Sequence, residues 1–369
     1  MKRGSPALII NLHHILYGEE LEDLGRAHLV VEDGFIKEIG RGWVGDAHIN
    51  GGVAVPLPVN AHIHLNDYRA PDHHFGLSLS DYAGRKGLKH SLIQLYKEPL
   101  MPSELLNLFL QYSYIVDYQE KYLLCRELAY ELGKVHTNYI GLSRPVDWVN
   151  DDLEEILKHC SGLGISNPVV IPVFRSSEIA RISRNRIVSS HISENRWMEE
   201  TGGLHYLLSL GIKLKQVVHG VFLEDWEFKI LADQGITLVS CPRSNIWFSG
   251  KLPDYHKALK YGVRVAIGTD NAGCFHPDIW EEAFILLYYS KIDPLTILKF
   301  ILINGYYSIG LKPLVIKEGG LACFMVIDLG IANERSGNIY LSLINRFKWS
   351  RINLIIKGKH VFSNATIVV

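Results

Sequence analysis

The sequence predicts an α/β protein, a (β/α)8 barrel of the TIM type with a small β-sandwich domain built from both termini. Three observations lead to this fold class. The middle of the chain alternates short β-prone runs with helix-like segments, the pattern of parallel strands joined by crossover helices. The two ends share a β-rich, glycine-punctuated texture that the middle lacks. Imidazole and carboxylate side chains follow several β-prone runs, where a parallel barrel would gather them in one mouth.

Composition permits a fold of this size and excludes two classes of partner. The 369 residues are 47% hydrophobic and 21% charged, as in an ordinary globular protein with a sizeable core. The 38 basic residues nearly balance the 39 acidic ones, and the formal net charge is -1. Because no global field attracts a polyanion, we predict that neither nucleic acid nor a membrane surface is a partner.

The cysteines and the apolar runs favour a cytoplasmic protein. The 5 cysteines are scattered, odd in number and never separated by two residues, which argues against a disulfide framework and against a cysteine zinc site. Asn11, His13 and His14 interrupt the first apolar patch, so we expect no secretory signal. No apolar run approaches the length of about 18 residues that spans a bilayer.

The predicted terminal domain comprises residues 1–54 together with 313–369. Within 29–40, two β-prone pieces flank Asp33 and Gly34, a dipeptide that favours a tight hairpin turn. The same texture returns only after Pro313. We therefore expect the two ends to assemble into one small sheet domain.

Residues 55–312 are predicted to form the barrel. The segment 122–132 has helical periodicity and is followed by Gly133, a helix stop signal. Such segments separate strand-like runs at 53–60, 112–117, 135–142, 168–174, 186–192, 216–221, 236–241 and 263–269. Eight runs are the number that a TIM barrel requires.

The first of these runs carries a pair of histidines. His62 and His64 are separated by one residue, so the period of two along a strand places both imidazoles on the same side. Two nitrogens that face one point suit a transition metal such as zinc. An isolated pair of this kind is more often satisfied by ordinary hydrogen bonds.

Further ionisable residues follow other predicted strands. His191 and Glu194 follow the run at 186–190, His219 follows 216–218, and Asp270 closes 263–269. Each has a simpler interpretation, since Glu194 is also typical of a solvated first helical turn and Asp270 of a helix cap. Their recurrence at several strand ends favours one shared site.

The ordered set of motifs resembles the amidohydrolase superfamily, and within it the aminohydrolase branch of adenosine, cytosine and triazine-type deaminases and chlorohydrolase-like enzymes. The matching segments are 58–64, 191–194, 218–221, 240–245 and 267–270. The flanking segments 32–36 and 317–320 are also similar to the composite β domain of that branch. The resemblance therefore covers nearly the whole chain.

The resemblance implies one divalent metal ion, zinc in the first place, with iron or manganese as alternatives. The implied ligands are His62, His64, His191 and Asp270. The ion would activate a water molecule as hydroxide at neutral pH. Asp270 would also accept the proton of that water, Glu194 would protonate a ring nitrogen, and His219 would orient the hydroxide and stabilise the tetrahedral adduct.

Two further features bear on the number of ions. Other members of the superfamily bridge two metals with a carboxylated lysine at the end of the fourth strand, but the segment 167–174, assigned to that strand, has no lysine. We therefore expect one metal. His73 and His74 are not expected to be extra ligands, because four ligands already complete a site and adjacent side chains point apart.

Five residues near the strand ends are candidates for substrate contact, namely Arg69, Arg144, Asn245, Trp247 and Asn271. Four of them have a structural alternative. Arg69 suits a solvated loop charge, Arg144 an ion pair, Trp247 core packing and Asn271 the shaping of a turn. The indole of Trp247 would also suit stacking on a planar heterocycle.

The predicted function is deamination of an amino-substituted nitrogen heterocycle of purine, pyrimidine or pterin type. The partner is then a small molecule, and a homo-oligomer is compatible with the sequence. Alternative reactions are hydrolytic loss of chloride or an alkylamine, or opening of a cyclic amide, against which Glu194 argues. A catalytically silent scaffold is the remaining alternative. Such proteins typically lose metal ligands or the catalytic acid, whereas all six residues implied by the resemblance are present here, namely His62, His64, His191, Glu194, His219 and Asp270.

Overall fold

The computed structural model describes residues 7–84, 86–95, 101–197, 202–363 and 366–368, whose strands form three sheets. The amino-terminal strands are β1 Leu8–Leu12, β2 His14–Tyr17, β3 Glu22–Asp23, β4 Ala27–Glu32, β5 Phe35–Arg41, β6 Ile49–Asn50 and β7 Val53–Pro56. The central strands are β8 Val59–His64, β9 Tyr114–Gln119, β10 Asn138–Ser143, β11 Gly162–Ile165, β12 Ile187–Ile192, β13 Gln216–His219, β14 Thr237–Ser240, β15 Val265–Ile267 and β16 Asp270–Asn271. The carboxy-terminal strands are β17 Cys323–Ile327, β18 Ile352–Lys357, β19 His360–Ser363 and β20 Thr366–Val368.

The central strands form a parallel barrel in the order β15-β14-β13-β12-β11-β10-β9-β8-β16. Strands β15 and β16 are two pieces of one interrupted strand, because β15 pairs with β14 while β16 pairs with β8. Gly268 lies between the two pieces, and a Cβ added there would lie 2.6 Å from the Cβ of His62. The absence of a side chain at Gly268 thus lets the eighth strand close against the first. The strand order confirms the predicted fold class.

The two smaller sheets are built from the ends of the chain, and the larger of them pairs strands from both ends. One has the order β5-β4-β1-β6, and the other the order β20-β19-β18-β17-β7-β2-β3, in which β17 pairs antiparallel with β7. Their facing side chains share a buried cluster that includes Ile10, Leu29, Phe324 and Ile356. The predicted hairpin is confirmed as well, since β4 and β5 pair antiparallel across Asp33 and Gly34, which both have positive φ. The division after residues 54 and 312 stays a prediction.

Helices surround the barrel and cover its ends. They are α1 Leu79–Ala83, α2 Leu88–Leu95, α3 Ser103–Phe109, α4 Leu124–Gly133, α5 Leu153–Leu157, α6 Ser176–Ile182, α7 Gly203–Ser209, α8 Asp225–Gln234, α9 Pro242–Ser249, α10 Tyr255–Lys260, α11 Ile279–Ser290, α12 Pro294–Leu302, α13 Asn304–Ser308, α14 Ala332–Arg335 and α15 Ile339–Arg346, with 3-10 turns at Leu65–Arg69, Pro168–Val170, Val173–Arg175 and Trp349–Arg351. The expected helix before Gly133 is confirmed as α4. Among the described residues, no helix has both the length and the apolar character that crossing a membrane requires.

The prediction for the fourth barrel strand is wrong. Strand β11 occupies Gly162–Ile165, whereas the apolar segment assigned to it forms 3-10 turns around Pro168 and Pro172. Proline lacks the N–H that a central strand needs, and the β-branched residues between the two prolines misled the assignment. A Cβ at Gly162 would lie 2.0 Å from the carbonyl oxygen of Ile187, so glycine is required in this strand. The observed strand also lacks a lysine, so it has no residue that could become the carboxylated lysine of a two-metal site.

The argument against a disulfide framework did not predict the one disulfide that the described residues contain. Cys125 in α4 is bonded to Cys160, 35 residues further along the chain, whereas Cys241, Cys274 and Cys323 are free and buried. Helix α4 packs against β10, and Cys160 lies just before β11, the strand that pairs with β10. Spacing in the sequence carries no signal of that contact. The cysteine argument for a reducing cytoplasm is weakened accordingly.

We expect the double substitution of Cys125 and Cys160 by serine to destabilise the protein by about 2–4 kcal/mol, because the disulfide closes a long loop in the unfolded chain. Urea denaturation with and without a reductant measures this free energy of unfolding. The reductant should destabilise the wild type and leave the double variant unchanged. Equal stability of both proteins under both conditions would contradict the prediction.

Candidate metal centre and active site

The first and last barrel strands bring three donor groups together. The period of two along β8 turns both His62 and His64 into the barrel mouth, as the sequence predicts. Their Nε2 atoms lie 3.4 Å and 3.5 Å from Oδ1 of Asp270, which opens β16 beside β8. All three side chains are buried. One carboxylate oxygen therefore faces two imidazole nitrogens away from bulk water.

The fifth strand contributes a third imidazole to the same point. Nε2 of His191, in β12, lies 3.3 Å from Nε2 of His62. One nitrogen from each of His62, His64 and His191 lies within 4.8 Å of the others, and the same holds for donor atoms of His62, His219 and Asp270. The barrel thus gathers residues that are more than 200 positions apart in the chain.

Backbone conformation at the strand ends turns the side chains inward. His219 and Asp270 have φ of 72° and 60°, and Ser193 beside Glu194 has φ of 51°. Residues other than glycine rarely adopt this left-handed region, which costs about 1–3 kcal/mol each where it is held. Three of the eight non-glycine residues with positive φ in the described part of the chain are therefore at or next to the residues that the motifs singled out.

Burial and neighbouring charges shift the pKa values of three members of the cluster. Burial lowers the pKa of His64 well below its usual range, and the charges of His62, Lys89 and Arg144 lower it further. Burial also lowers the pKa of His191, as do the neighbouring imidazoles. Burial raises the pKa of Asp270, but its hydrogen bond to His62 and the nearby imidazoles outweigh this effect and hold the pKa well below normal. Neutral imidazoles and an ionised carboxylate are the forms that bind a metal.

The donor groups fit a divalent transition metal. Three overlapping triplets of buried donors, His62 with His64 and His191, His62 with His219 and Asp270, and His191 with Glu194 and His219, lie within 4.8 Å of one another, and imidazole and carboxylate donors are typical of zinc and also accepted by iron or manganese. Oδ2 of Asp270 accepts a hydrogen bond from Ser244 Oγ in α9, which leaves Oδ1 facing the imidazoles. Ser244 was not singled out as a functional residue, although it lies within the motif at 240–245.

Glu194 lies beside the donor cluster with its side chain 8% exposed. Its Oε2 is 3.7 Å from Nε2 of His219, and its backbone carbonyl accepts a hydrogen bond of 2.6 Å from Ser249 Oγ. Burial raises the pKa of the Glu194 carboxyl, Asp270 raises it further, and His219 opposes the shift. A buried carboxyl with a raised pKa is suited to carrying a proton.

A buried ion pair that the motifs did not reveal supports the cluster from one side. Lys89 in α2 donates a hydrogen bond of 2.8 Å to Oδ2 of Asp67, although lysine is rarely buried to this degree. The same oxygen accepts a bond of 2.6 Å from Nδ2 of Asn271. Oδ1 of Asn271 accepts from the N–H groups of Gly273 and Cys274, so its amide shapes the turn, as one of the two sequence interpretations had it.

The two arginine candidates occupy different surroundings. Arg144 follows β10, and its guanidinium lies 3.2 Å from Oε1 of Glu120 and 3.5 Å from Nδ1 of His64. This contact places a positive charge beside the His64 imidazole. Arg69 is half-buried at the end of the 3-10 turn after β8. The ion-pair interpretation of Arg144 is thereby supported.

Aromatic side chains gather where loops from the first and last strands meet α9. The ring of His74 lies 5.2 Å from that of Trp247 and 5.5 Å from that of Phe275, and Phe75 lies 5.9 Å from Trp247. Trp247 is 44% exposed and Phe75 is 83% exposed. His74 packs among these rings instead of joining the donor cluster. Trp247 therefore does not belong to the buried core.

Comparison with known proteins places these features in context. The model of the Amidohydrolase family matches residues 178–361. An uncharacterized protein of Methanocaldococcus jannaschii is 28% identical over 364 residues, covering 90% of this chain and 93% of that protein. A 5-methylthioadenosine/S-adenosylhomocysteine deaminase of Pyrococcus furiosus is 27% identical over 369 residues, covering 87% and 86%. The crystal structure of an adenosine deaminase from Xanthomonas campestris with bound zinc has the same fold, with a TM-score of 0.78 at 16% identity over 98% of this chain and 94% of that one.

Proposed function

The chain belongs to the amidohydrolase family, and on this premise we propose that it hydrolytically removes an amino group from a purine-type heterocycle with the help of one bound divalent metal ion. The reaction breaks a carbon–nitrogen bond of a cyclic amidine. The observation that carries the proposal is the convergence of three imidazoles and a carboxylate, with Glu194 and His219 beside them, in one buried barrel mouth. Relatives named as deaminases of 5-methylthioadenosine and 5'-deoxyadenosine favour an adenosine-type substrate.

We propose that the metal ligands are His62, His64, His191 and Asp270. A bound divalent ion supplies the Lewis acidity that lowers the pKa of a water molecule in the site toward neutrality. Asp270 accepts the proton of the attacking water, while the hydroxyl of Ser244 holds its Oδ2 in place. The strand geometry therefore presents a base and the ligands at the same point.

Glu194 and His219 complete the proposed mechanism. The buried Glu194 carboxyl delivers a proton to a ring nitrogen, which makes the adjacent ring carbon electrophilic. His219 directs Nε2 toward the reacting oxygen and stabilises the charge that develops there. A proton then passes to the amino group, which leaves as ammonia. Each of these steps moves a proton over the short distances that the cluster provides.

Ammonia release tests the reaction class directly. The panel comprises adenosine, 5'-deoxyadenosine, 5-methylthioadenosine, S-adenosylhomocysteine, cytosine, guanine and a pterin, each with zinc, iron or manganese. A chlorinated triazine and a cyclic amide serve as substrates of the alternative reactions. We expect ammonia from at least one adenosine derivative. Turnover of the cyclic amide with no release from any amino-heterocycle would overturn the proposal.

Metal removal should abolish activity reversibly. Protein purified without a chelator is expected to hold about one ion per chain, because the four proposed ligands make a single site. Dialysis against a chelator should remove the ion and the turnover, and zinc should restore both. A catalytically silent scaffold would instead be metal-free as purified or unaffected by the chelator.

We propose that a planar substrate stacks on Trp247, whose indole is exposed in the aromatic cluster. Trp247→Ala is expected to raise KM about 10-fold with a smaller change in kcat, since stacking on an aromatic ring contributes about 1–3 kcal/mol. Trp226→Ala is the matched control, because Trp226 is 41% exposed on α8 and is not part of that cluster. Equal kinetics of the two variants would exclude stacking on Trp247.

Location and assembly stay predictions. A cytoplasmic protein was predicted in part from the cysteines, and the Cys125–Cys160 disulfide removes part of that argument. Fractionation of the source cells with an antibody to the chain tests the location. Sedimentation of the purified protein tests whether it forms a homo-oligomer.

A further inference from the structure

Asn245 is held in one orientation by two hydrogen bonds to its side-chain oxygen. The residue lies in α9 directly after β14 and is 1% exposed. Its Oδ1 accepts from the backbone N–H of Cys241 at 3.1 Å and from the hydroxyl of Ser240 at 3.3 Å. A backbone N–H can only donate, so the amide atom that faces it must be the oxygen. The NH2 group of Asn245 consequently points the other way.

That NH2 group faces the catalytic histidine. Nδ2 of Asn245 lies 2.9 Å from Nδ1 of His219. An amide NH2 group only donates, so Nδ1 of His219 must accept, and the proton of the neutral imidazole is then on Nε2. Nε2 is the atom that lies 3.7 Å from the carboxylate of Glu194.

The geometry points to Asn245 as a positioning residue that fixes the proton of His219 on Nε2, where it can be donated to the reacting oxygen. This inference deepens the proposed function and rests on it for the role of His219. It also distinguishes His219 from the proposed ligands, because a nitrogen that carries a proton cannot bind a metal. The buried position of Asn245 assigns it to this task instead of to the substrate contact expected from the sequence.

The substitution Asn245→Asp separates the positioning role from a structural one. Aspartate has the same shape, and one of its oxygens can still accept from Cys241 and Ser240. Its other oxygen faces Nδ1 of His219 and can only accept, so the proton is drawn to Nδ1. We expect kcat on 5'-deoxyadenosine to fall by roughly 10²-fold or more, while KM changes by less than about 3-fold.

Nitrogen NMR of the zinc-loaded protein reads the proton position without any turnover. The wild-type signals of His219, assigned by comparison with His219→Gln, are expected to show a protonated Nε2 and an unprotonated Nδ1. In Asn245→Asp, Nδ1 should be protonated. The matched control is Asn338→Asp, which adds the same charge at the cap of α15, where aspartate accepts from Leu341 as well as asparagine does. This control should keep the wild-type spectrum and kinetics.

The results of these experiments test the role of Asn245 separately from the proposed deamination. A wild-type His219 with its proton on Nδ1 overturns the role of Asn245, even if every aspartate variant fails to fold. An unchanged kcat or an unchanged proton position in Asn245→Asp overturns it too. If no amino-heterocycle is turned over but the NMR pattern is as expected, the proposed function fails while the positioning geometry stands.

Discussion

Glu194→Gln is expected to lose most of the catalytic turnover while the protein keeps its fold and its metal. Glutamine has the size of glutamate, and the hydrogen bond from Ser249 Oγ to the backbone carbonyl of residue 194 is preserved. The glutamine side chain, however, cannot deliver a proton to the substrate ring. A general acid or base typically contributes about 10²- to 10⁴-fold to the rate, so we expect kcat to fall within that range. Steady-state kinetics, metal analysis and circular dichroism of the same preparation measure the three properties.

The control for this change is Glu154→Gln. Glu154 lies in the first turn of α5, its side chain is 69% exposed, and it pairs with Arg181 away from the barrel mouth. Exposed ion pairs contribute little to stability, so this variant should keep full activity. Wild-type kcat in Glu194→Gln would remove Glu194 from the mechanism, and loss of the metal in that variant would make it a ligand instead of an acid.

His62→Ala is expected to lose both the metal and the activity. The His62 side chain is fully buried and lies between Asp270 and His191, so its removal takes one donor from the centre of the proposed ligand set. We expect metal content to fall from about one ion per chain to a small fraction, because four ligands complete a tetrahedral site. Asp270→Ala should have a similar effect.

The discriminating control is His219→Gln. If His219 is not a ligand, this variant should keep close to the full metal content while its turnover falls. Metal analysis by mass spectrometry compares the variants after identical purification. Full metal content in His62→Ala, or equal loss from His62→Ala and His219→Gln, would contradict the assignment of ligands.

Placements that follow from local periodicity could be predicted from the sequence. His62 and His64 are one residue apart on a strand, and the period of two forces them to one side whatever the rest of the chain does. Asp33 and Gly34 form their hairpin for an equally local reason. The motif at 240–245 contains Ser244 and Asn245, whose side chains contact Asp270 and His219, but the sequence did not predict these two contacts.

Features that depend on packing could not be predicted in this way. Strand β11 contains two glycines because the carbonyl group of Ile187 and the ring of Tyr118 approach it closely, and its composition therefore carries little strand signal. The partner of Cys125 is decided by how α4 lies on the barrel. The buried pair of Lys89 and Asp67 joins a helix to a loop that precedes it, and a lysine in sequence ordinarily indicates an exposed position.

The central claim is that distant strands converge on one cation, and a crystal structure of the zinc-loaded protein with an anomalous-scattering map tests it most directly. The account predicts one zinc ion per chain, within about 2.0–2.2 Å of His62, His64, His191 and Asp270, with His219 outside the coordination sphere. A zinc ion held by a different set of residues, or no zinc peak in the barrel mouth, would contradict it.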